Sequence, residues 1–287
     1  MGGDNSAFSA SVNRACLMGF LFRLLSFLPL PVLHNLGALA GWLAYWLSPT
    51  YRRHLRENIA LAGVSERRGA AIAEAGKTVL ELPKLWLRPQ DEVVGRVVQV
   101  AGWDLVEQAW QTGRGTLFLT PHLGCFEIAA QYLTACRPLT ALYRRPRQSW
   151  LATLIETGRG TRMHLAPADM SGVRKLLKAM KAGGAVLILP DQAPSSGEGE
   201  WVPFFGRPAY TMTLASRLAG SGARVLLCYA ERLSYGAGYK LVFLAPEGDL
   251  TTPAGLNREI EKLILRCPEQ YLWGYHRYKI PKGAAGP

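Results

Sequence analysis

The chain has 287 residues, of which 49% are hydrophobic and 19% charged, and its formal net charge at pH 7 is +12. That amount of apolar material suits a large core and excludes disorder over most of the chain. The positive charge indicates an anionic partner. Nucleic acid is not expected to be that partner, since the sequence has no zinc-finger spacing, no RRM-like motif and no long Lys/Arg tract.

The cysteine pattern bears on compartment and metal content. The five cysteines are scattered and include no C-x-x-C pair. This pattern favours neither a disulfide framework nor a zinc site, so we predict a reducing compartment and neither metal nor cofactor.

Residues 1–50 are the most apolar part of the chain. Two apolar segments, 16–28 and 32–47, flank a Pro-Leu-Pro sequence, and each is shorter than the roughly 20 residues of a perpendicular spanning helix. We predict a membrane anchor lying in one leaflet, with the basic cluster at 51–56 on anionic headgroups. A single tilted spanning helix and a helical hairpin packed on a soluble core are the alternatives.

The rest of the chain alternates between short apolar runs and helical patterns. Residues 66–87 read as a helix that Pro83 kinks or breaks. Further helices are predicted at 126–136, 150–156, 171–182, 213–219 and 255–266, and strands at 116–120, 139–143, 185–189, 224–230 and 239–244. This order indicates an α/β fold with a mixed, largely parallel central sheet flanked by helices. Residues 51–287 then form one domain behind the 1–50 anchor.

His122 lies where a predicted strand gives way to a helix. Such loops lie at the carboxyl end of the sheet, where open α/β sheets place ligands. Glu127 follows five residues later, in the first turn of the helix. A carboxylate that accepts a hydrogen bond from one ring nitrogen leaves the other nitrogen free as a general base, so we predict a catalytic His122–Glu127 pair.

Five motifs occur in a defined order: "HLGCFE" at 122–127, "YRRP" at 143–146, "LPDQ" at 189–192, "VPFFGRPA" at 202–209 and "PEQYLWGYHRYK" at 268–279. The ordered set resembles the bacterial lipid A biosynthesis acyltransferases of the lysophospholipid acyltransferase superfamily. The resemblance runs from about residue 24 almost to the end. Pro121 and Cys125 stand where the family usually has Asn; the His–Glu pair is intact, and these departures bear on the choice of acceptor and acyl chain.

The resemblance implies an O-acyltransferase of the lauroyl or myristoyl type at the cytoplasmic face of the inner membrane. Its donor would be an acyl carrier protein thioester and its acceptor a hydroxyl of a phosphorylated lipid A precursor. His122 would be the base, and Cys125 a packing residue.

The same resemblance implies roles for residues around the pair. Gly124 would supply backbone donors for the tetrahedral intermediate, Arg145 and Arg159 would bind phosphate, and Asp191 would position groups in the site. Trp201, Phe204 and Phe205 are candidates for the wall of an acyl-chain tunnel.

Two other functions remain open from sequence. One is an acyltransferase of the same superfamily that acts on a lysophospholipid, an ornithine lipid or another glycolipid. The other is a non-catalytic membrane-binding protein in which the His122–Glu127 pair is structural.

Overall fold

The computed structural model describes residues 17–146, 148–158 and 163–287. A first helix, α1, covers residues 17–27. The other α-helices are α2 Leu30–Leu47, α3 Pro49–Leu61, α4 Arg68–Leu87, α5 Gln90–Val94, α6 Trp103–Gln111, α7 Phe126–Cys136, α8 Ser149–Gly158, α9 Met170–Lys181, α10 Thr213–Ala219 and α11 Pro253–Ile264. Short 3₁₀ turns lie at Ser65–Arg67, Ser234–Gly236 and Pro268–Gln270.

A seven-stranded sheet forms the centre of the fold. Its strands are β1 Val97–Ala101, β2 Thr116–Leu119, β3 Leu139–Tyr143, β4 Met163–Pro167, β5 Ala185–Ile188, β8 Arg224–Arg232 and β9 Tyr239–Leu244, in the order β1-β9-β8-β2-β5-β3-β4. Neighbours are parallel except for the antiparallel β8–β9 pair. The prediction of a mixed, largely parallel sheet flanked by helices is therefore confirmed.

Side-chain alternation along β2 divides the interior between the two faces of the sheet. Leu117 and Leu119 pack in the cluster that includes residues of α9, α10 and α11, whereas Phe118 packs with α7. All four residues of β2 are buried, as expected for a central parallel strand. The strand that leads into His122 is thus held from both sides.

Elements with a strong pattern lie where the sequence predicted them, and α7, β3, α10 and β9 have the predicted bounds. The helix α4 continues through Pro83 to Leu87, so of the predicted kink or break the break is wrong. The sequence also missed β1, β4 and the β-hairpin of β6 (Gly199–Phe204) and β7 (Arg207–Met212). Pro203 pairs with Pro208 in that hairpin, which suits a two-stranded ribbon but hides the strand pattern.

The segment interpreted as an anchor contains a helix that packs on the rest of the protein. The buried face of α2 includes Leu33, Gly37 and Gly41 and lies against α4. A Cβ atom at Gly41 would overlap the carbonyl oxygen of Ile72, and one at Gly76 would overlap that of Gly37. Glycine is required at this crossing because the two backbones touch, and the packing crosses the predicted boundary at residue 50.

The opposite face of α2 is apolar and exposed. Val32, Leu36, Leu39, Leu43 and Trp46 follow one another at helical spacing, and each is exposed by 41% or more. Across the described ranges, the structure contains no helix of sufficient length and apolarity to span a bilayer. The predicted membrane anchor is therefore not confirmed.

The α2–α4 crossing predicts opposite effects for two glycine substitutions. Gly41→Ala should lower the free energy of unfolding by about 1–3 kcal/mol, because the methyl group forces the helices apart. Gly69→Ala should leave it unchanged or raise it by up to about 1 kcal/mol, since Gly69 is an exposed α4 residue whose Cβ would meet only Trp42, at 4.0 Å. Urea titration measures both values, and equal changes would contradict the packing.

Candidate active site

The site is built where two adjacent parallel strands end. Leu119, the last residue of β2, pairs with Ile188, the last residue of β5. His122 and Asp191 each follow their strand by three residues. Because parallel strands end at the same edge of the sheet, the two side chains meet there.

Asp191 binds His122 through both of its carboxylate oxygens. Oδ1 lies 2.8 Å from the ring Nδ1, and Oδ2 accepts a hydrogen bond of 3.1 Å from the His122 backbone N–H. When Nδ1 is protonated and donates a hydrogen bond to this carboxylate, Nε2 presents a lone pair. The side-chain amide of Gln192 lies 3.2 Å from Nε2, and the ring packs edge-on against Phe126 at a centroid distance of 4.9 Å.

The Asp191 carboxylate is ionised in spite of its burial. Its side chain is only 2% exposed. Burial acts to raise the pKa of Asp191, but the attraction of the His122 ring when it is protonated and the hydrogen bonds that His122 donates outweigh burial and hold that pKa below its ordinary value. Burial raises the pKa of the adjacent Tyr271 phenol, and the charge of Asp191 raises it further, so this hydroxyl stays protonated beside the carboxylate.

The loop from His122 to Cys125 is clamped on two sides. Gly124 has φ +60°, its N–H donates to the Gln270 carbonyl oxygen at 3.0 Å, and the Cys125 N–H donates to the Ala230 carbonyl oxygen at 2.8 Å. A Cβ atom at Gly124 would overlap the oxygen of Ala230. The Leu272 N–H donates to the His122 carbonyl oxygen at 3.1 Å. The sequence predicted that the Gly124 N–H donates to substrate. In the structure this N–H donates instead to the Gln270 carbonyl oxygen.

A buried ion pair lies behind this clamp. The Arg232 guanidinium donates to both carboxylate oxygens of Glu81, at 2.9 and 2.6 Å, and both side chains are 1% exposed. Burial acts to raise the pKa of Glu81, but Arg232 outweighs it and lowers the pKa to about 2. Thr78, Tyr239 and Glu74 supply further hydrogen bonds to the pair.

Gln270 connects the ion pair to the loop. Its side-chain amide pairs with the backbone of Arg232, accepting from the N–H at 2.7 Å and donating to the carbonyl oxygen at 2.9 Å. Its own carbonyl oxygen binds Gly124. The position of the His122 loop is therefore coupled to β8 and, through Arg232, to α4.

A cavity of about 720 Å³ opens beside His122. That volume is typical of a site for a small molecule or a lipid chain. His122, Glu127, Gln192, Tyr275, Arg144, Arg217 and Lys279 are among its polar lining residues. Its apolar wall includes Ala130, Ala141, Leu142, Ile155, Met163, Val173, Leu177, Leu187, Leu189, Met212, Leu214 and Leu218.

The Asp191 carboxylate contacts the His122 ring, a role that the sequence assigned to Glu127. Glu127 is 3% exposed, lies in the first turn of α7 and lines the same cavity as His122. Of the site residues that the sequence predicted, His122 and Glu127 line this cavity, and Asp191 contacts the His122 ring.

The predicted arginines have different positions. Arg145 is exposed and pairs with Glu156 at 3.4 Å, while the preceding Arg144 lines the cavity. The other predicted phosphate ligand, Arg159, lies outside the described residues.

The aromatic residues proposed for a tunnel pack elsewhere. Phe204 is 2% exposed and contacts Phe205 and Tyr278 at ring-centroid distances of 4.9 and 6.5 Å. Trp201 packs against Tyr210 within the β6–β7 hairpin. In place of these residues, the wall described above comes largely from β3, β5 and helices α7 to α10.

Sequence reasoning missed Gln192, Tyr275 and Arg144 as lining residues. The Tyr275 hydroxyl accepts a hydrogen bond of 3.1 Å from the Ala193 N–H, which brings the C-terminal segment to the site. Gln192 could have been found, because it directly follows Asp191 at the end of a predicted strand. Tyr275 carries no such signal, since its position depends on long-range packing.

Cys125 is a buried thiol. Burial is the main cause that raises its pKa well above the ordinary value, so it carries no thiolate for nucleophilic attack. Cys125, Cys228 and Cys267 are free, buried thiols among the described residues.

Comparison with known proteins gives one family. The sequence model of the bacterial lipid A biosynthesis acyltransferase family matches residues 9–280 of this chain. The chain is 31% identical to a lipid A biosynthesis palmitoleoyltransferase of Escherichia coli over 88% of this chain and 86% of that protein. It is 29% identical to a lauroyltransferase of the same organism, over 89% and 88%, and 24% identical to a myristoyltransferase, over 85% and 78%.

The clamp predicts that Gly124→Ala is more costly than its backbone angle alone requires. Gly113 has a similar φ of +66°, but a Cβ atom there would meet nothing within 4 Å. Gly113→Ala should cost about 1–2 kcal/mol of unfolding free energy for the left-handed backbone. Gly124→Ala should cost about 1–3 kcal/mol more, because its methyl group overlaps Ala230. Chemical denaturation measures the difference, and equal losses would refute the clamp.

Proposed function

This chain belongs to the bacterial lipid A biosynthesis acyltransferase family, and from that premise we propose that it transfers a fatty acyl group from an acyl carrier protein thioester to a hydroxyl of a phosphorylated lipid A precursor. The observation that carries the proposal is the His122–Asp191 pair, which presents Nε2 at a cavity with a largely apolar wall. Relatives named palmitoleoyl-, lauroyl- and myristoyltransferases support the reaction class.

His122 is the general base in this mechanism. Asp191 accepts a hydrogen bond from the Nδ1–H group, which leaves Nε2 to take the proton of the acceptor hydroxyl as its oxygen attacks the thioester carbonyl carbon. The buried carboxylate also stabilises the imidazolium that forms. When the tetrahedral intermediate collapses, the carbon–sulfur bond breaks, and His122 returns the proton to the departing thiolate.

Two groups are placed to stabilise the developing oxyanion. The helix α7 begins at Phe126, a cavity residue, and the positive end of its dipole lies at that terminus. The amide of Gln192 lies beside the reactive nitrogen and can turn a donor toward substrate. The terminus of α7 is preorganised, because the loop before it is clamped by Ala230 and Gln270.

Glu127 acts from the cavity side in this proposal. Its carboxylate lines the space that the acceptor would enter and can accept a hydrogen bond from an acceptor hydroxyl or from the imidazolium of the loaded enzyme. In this proposal Asp191 orients the His122 ring, and Glu127 is the second carboxylate of the site.

Cations at the cavity suit a phosphorylated acceptor. Arg144, Arg217 and Lys279 line the cavity together with His122, and guanidinium groups bind phosphate in bidentate geometry. Arg145 and Arg159 stay in the proposal as phosphate ligands. The apolar wall holds the acyl chain.

We place the protein at the cytoplasmic face of the inner membrane. The exposed stripe of α2, followed on α3 by the exposed Arg53 and Arg56, is the arrangement of an interfacial helix on anionic lipid. The same surface is the membrane anchor expected from sequence, with α2 fixed to the protein by α4.

The first experiment tests reaction and base together. Wild-type protein, acyl carrier protein thioesters and a tetra-acylated phosphorylated disaccharide should give one added acyl mass. His122→Ala should lower turnover about 10²- to 10⁴-fold because the hydroxyl then lacks a base. The matched control is Cys125→Ala, which should keep wild-type turnover since no acyl-cysteine is formed.

Each other outcome has a defined meaning. Acylation of a lysophospholipid but not of the disaccharide would show that the acceptor is a lysophospholipid and would leave the proposed mechanism unchanged. No transfer to either acceptor would favour the non-catalytic membrane-binding protein. Full activity in His122→Ala would overturn the assignment of the base.

Membrane binding is tested with point substitutions, because removal of residues 1–47 would also strip α2 from α4. Leu39→Gln combined with Leu43→Gln should weaken sedimentation with anionic vesicles roughly tenfold, since two exposed apolar contacts are lost. The control pair is Leu265→Gln with Ile280→Gln, exposed by 47% and 57% on other elements. Equal loss in both pairs would exclude α2 as the membrane surface.

A further inference from the structure

The helix α9 has two distinct sides in addition to its buried face. Val173 and Leu177 line the cavity, and so does Met170, which is 67% exposed at the start of the helix. Four exposed cations lie on the outer side, and we name them the α9 basic face: Arg174, Lys175, Lys178 and Lys181. On a helix, residues four apart are neighbours, so Arg174 lies next to Met170 and Lys178 one turn further along.

The cations of the α9 basic face lack ion-pair partners, although the charge of Lys175 helps to lower the pKa of Asp169. Two exposed cations on other helices do have acidic partners: Arg53 pairs with Glu57, and Lys262 with Glu259. Within the described ranges, no residue of the α9 basic face takes part in an ion pair. The acidic residue at the start of α9, Asp169, caps the helix by accepting from the Ser171 and Gly172 N–H groups.

We infer that the α9 basic face is the docking surface for the acidic carrier protein that delivers the acyl thioester, an inference that rests on the proposed function. Four unpaired cations beside the cavity opening match an acidic protein in charge. A carrier held there would have its prosthetic arm at Met170 and Leu177, where the cavity wall reaches the surface. The charges of the α9 basic face would then raise the rate at which the carrier protein associates with the enzyme. The apolar residues at the cavity edge would admit the acyl chain.

An anionic bilayer is the less suitable occupant of this surface. The apolar residues of α9 face the sheet or the cavity, so its outer side offers charges but little to insert into lipid. The exposed apolar stripe belongs to α2, which packs on α3 and α4, whereas α9 packs on β3, β4 and β5. Different elements of the fold thus provide the membrane surface and the carrier surface.

Charge reversal tests the docking surface in the full-length protein. The test variant combines Arg174→Glu with Lys178→Glu. The matched control combines Arg258→Glu with Arg266→Glu, which changes the net charge equally at two exposed positions in or next to α11. Neither pair lies in the proposed catalytic machinery.

Two donors separate docking from chemistry. With acyl carrier protein thioester at low ionic strength, the test variant should show a KM about tenfold higher and an unchanged kcat, since only encounter and docking are weakened. With acyl-pantetheine, an uncharged donor without the protein, its KM and kcat should match wild type. The control variant should match wild type with both donors.

A direct titration with fluorescent holo acyl carrier protein completes the test. Wild type and control should bind it with an affinity that falls with salt, and the test variant should bind about tenfold more weakly. Wild-type binding by the test variant, or an equal loss with acyl-pantetheine, would overturn the docking surface. A loss confined to sedimentation with anionic vesicles would assign the face to lipid and overturn it as well.

The failure of the proposed function would be recognised separately. If the wild-type protein transfers an acyl group from neither acyl donor, the proposed reaction is wrong. The titration with carrier protein then decides docking by itself: a salt-dependent affinity that is lost only in the test variant supports it, and equal affinities refute it.

Discussion

The bidentate ion pair between Glu81 and Arg232 is the constraint on which the site depends. Two charges taken out of water are stable only when their hydrogen bonds are satisfied, and a buried pair that loses one partner costs about 3–5 kcal/mol. Thr78, Tyr239 and Glu74 meet that requirement here. The pair fixes α4 against β8. The helix α4 in turn holds α2, and the backbone of Arg232 holds Gln270, which binds the His122 loop.

The chemistry follows from where the strands end. Because β2 and β5 are adjacent and parallel and end in register, the residue three positions after each strand reaches the same place. One contributes an imidazole and the other a carboxylate. The left-handed Gly124 then turns the chain into α7 within the space that Ala230 and Gln270 leave. Backbone packing alone thus determines which carboxylate meets the His122 ring.

The protein surface has two chemically different regions. Apolar side chains are exposed along α2, and unpaired cations along α9, on elements that pack against different parts of the fold. The proposed reaction, with one substrate from a carrier protein and the other from a membrane, needs both surfaces at once. The cavity beside His122 reaches α9 at Met170, Val173 and Leu177, on the same helix as the proposed donor surface.

The sequence by itself determined what is local. Periodicity and β-prone runs located the central strands and the helices between them, and the ordered motifs identified the family, since each depends on near neighbours in the chain. It did not predict β4 or the β6–β7 hairpin, whose patterns are short or interrupted by proline. Only the tertiary structure decided that Asp191 contacts the His122 ring, that Arg144 rather than Arg145 lines the cavity, and that α2 packs on α4. These outcomes depend on strand register and on backbones that touch across long stretches of sequence, and residue type alone does not encode such distances.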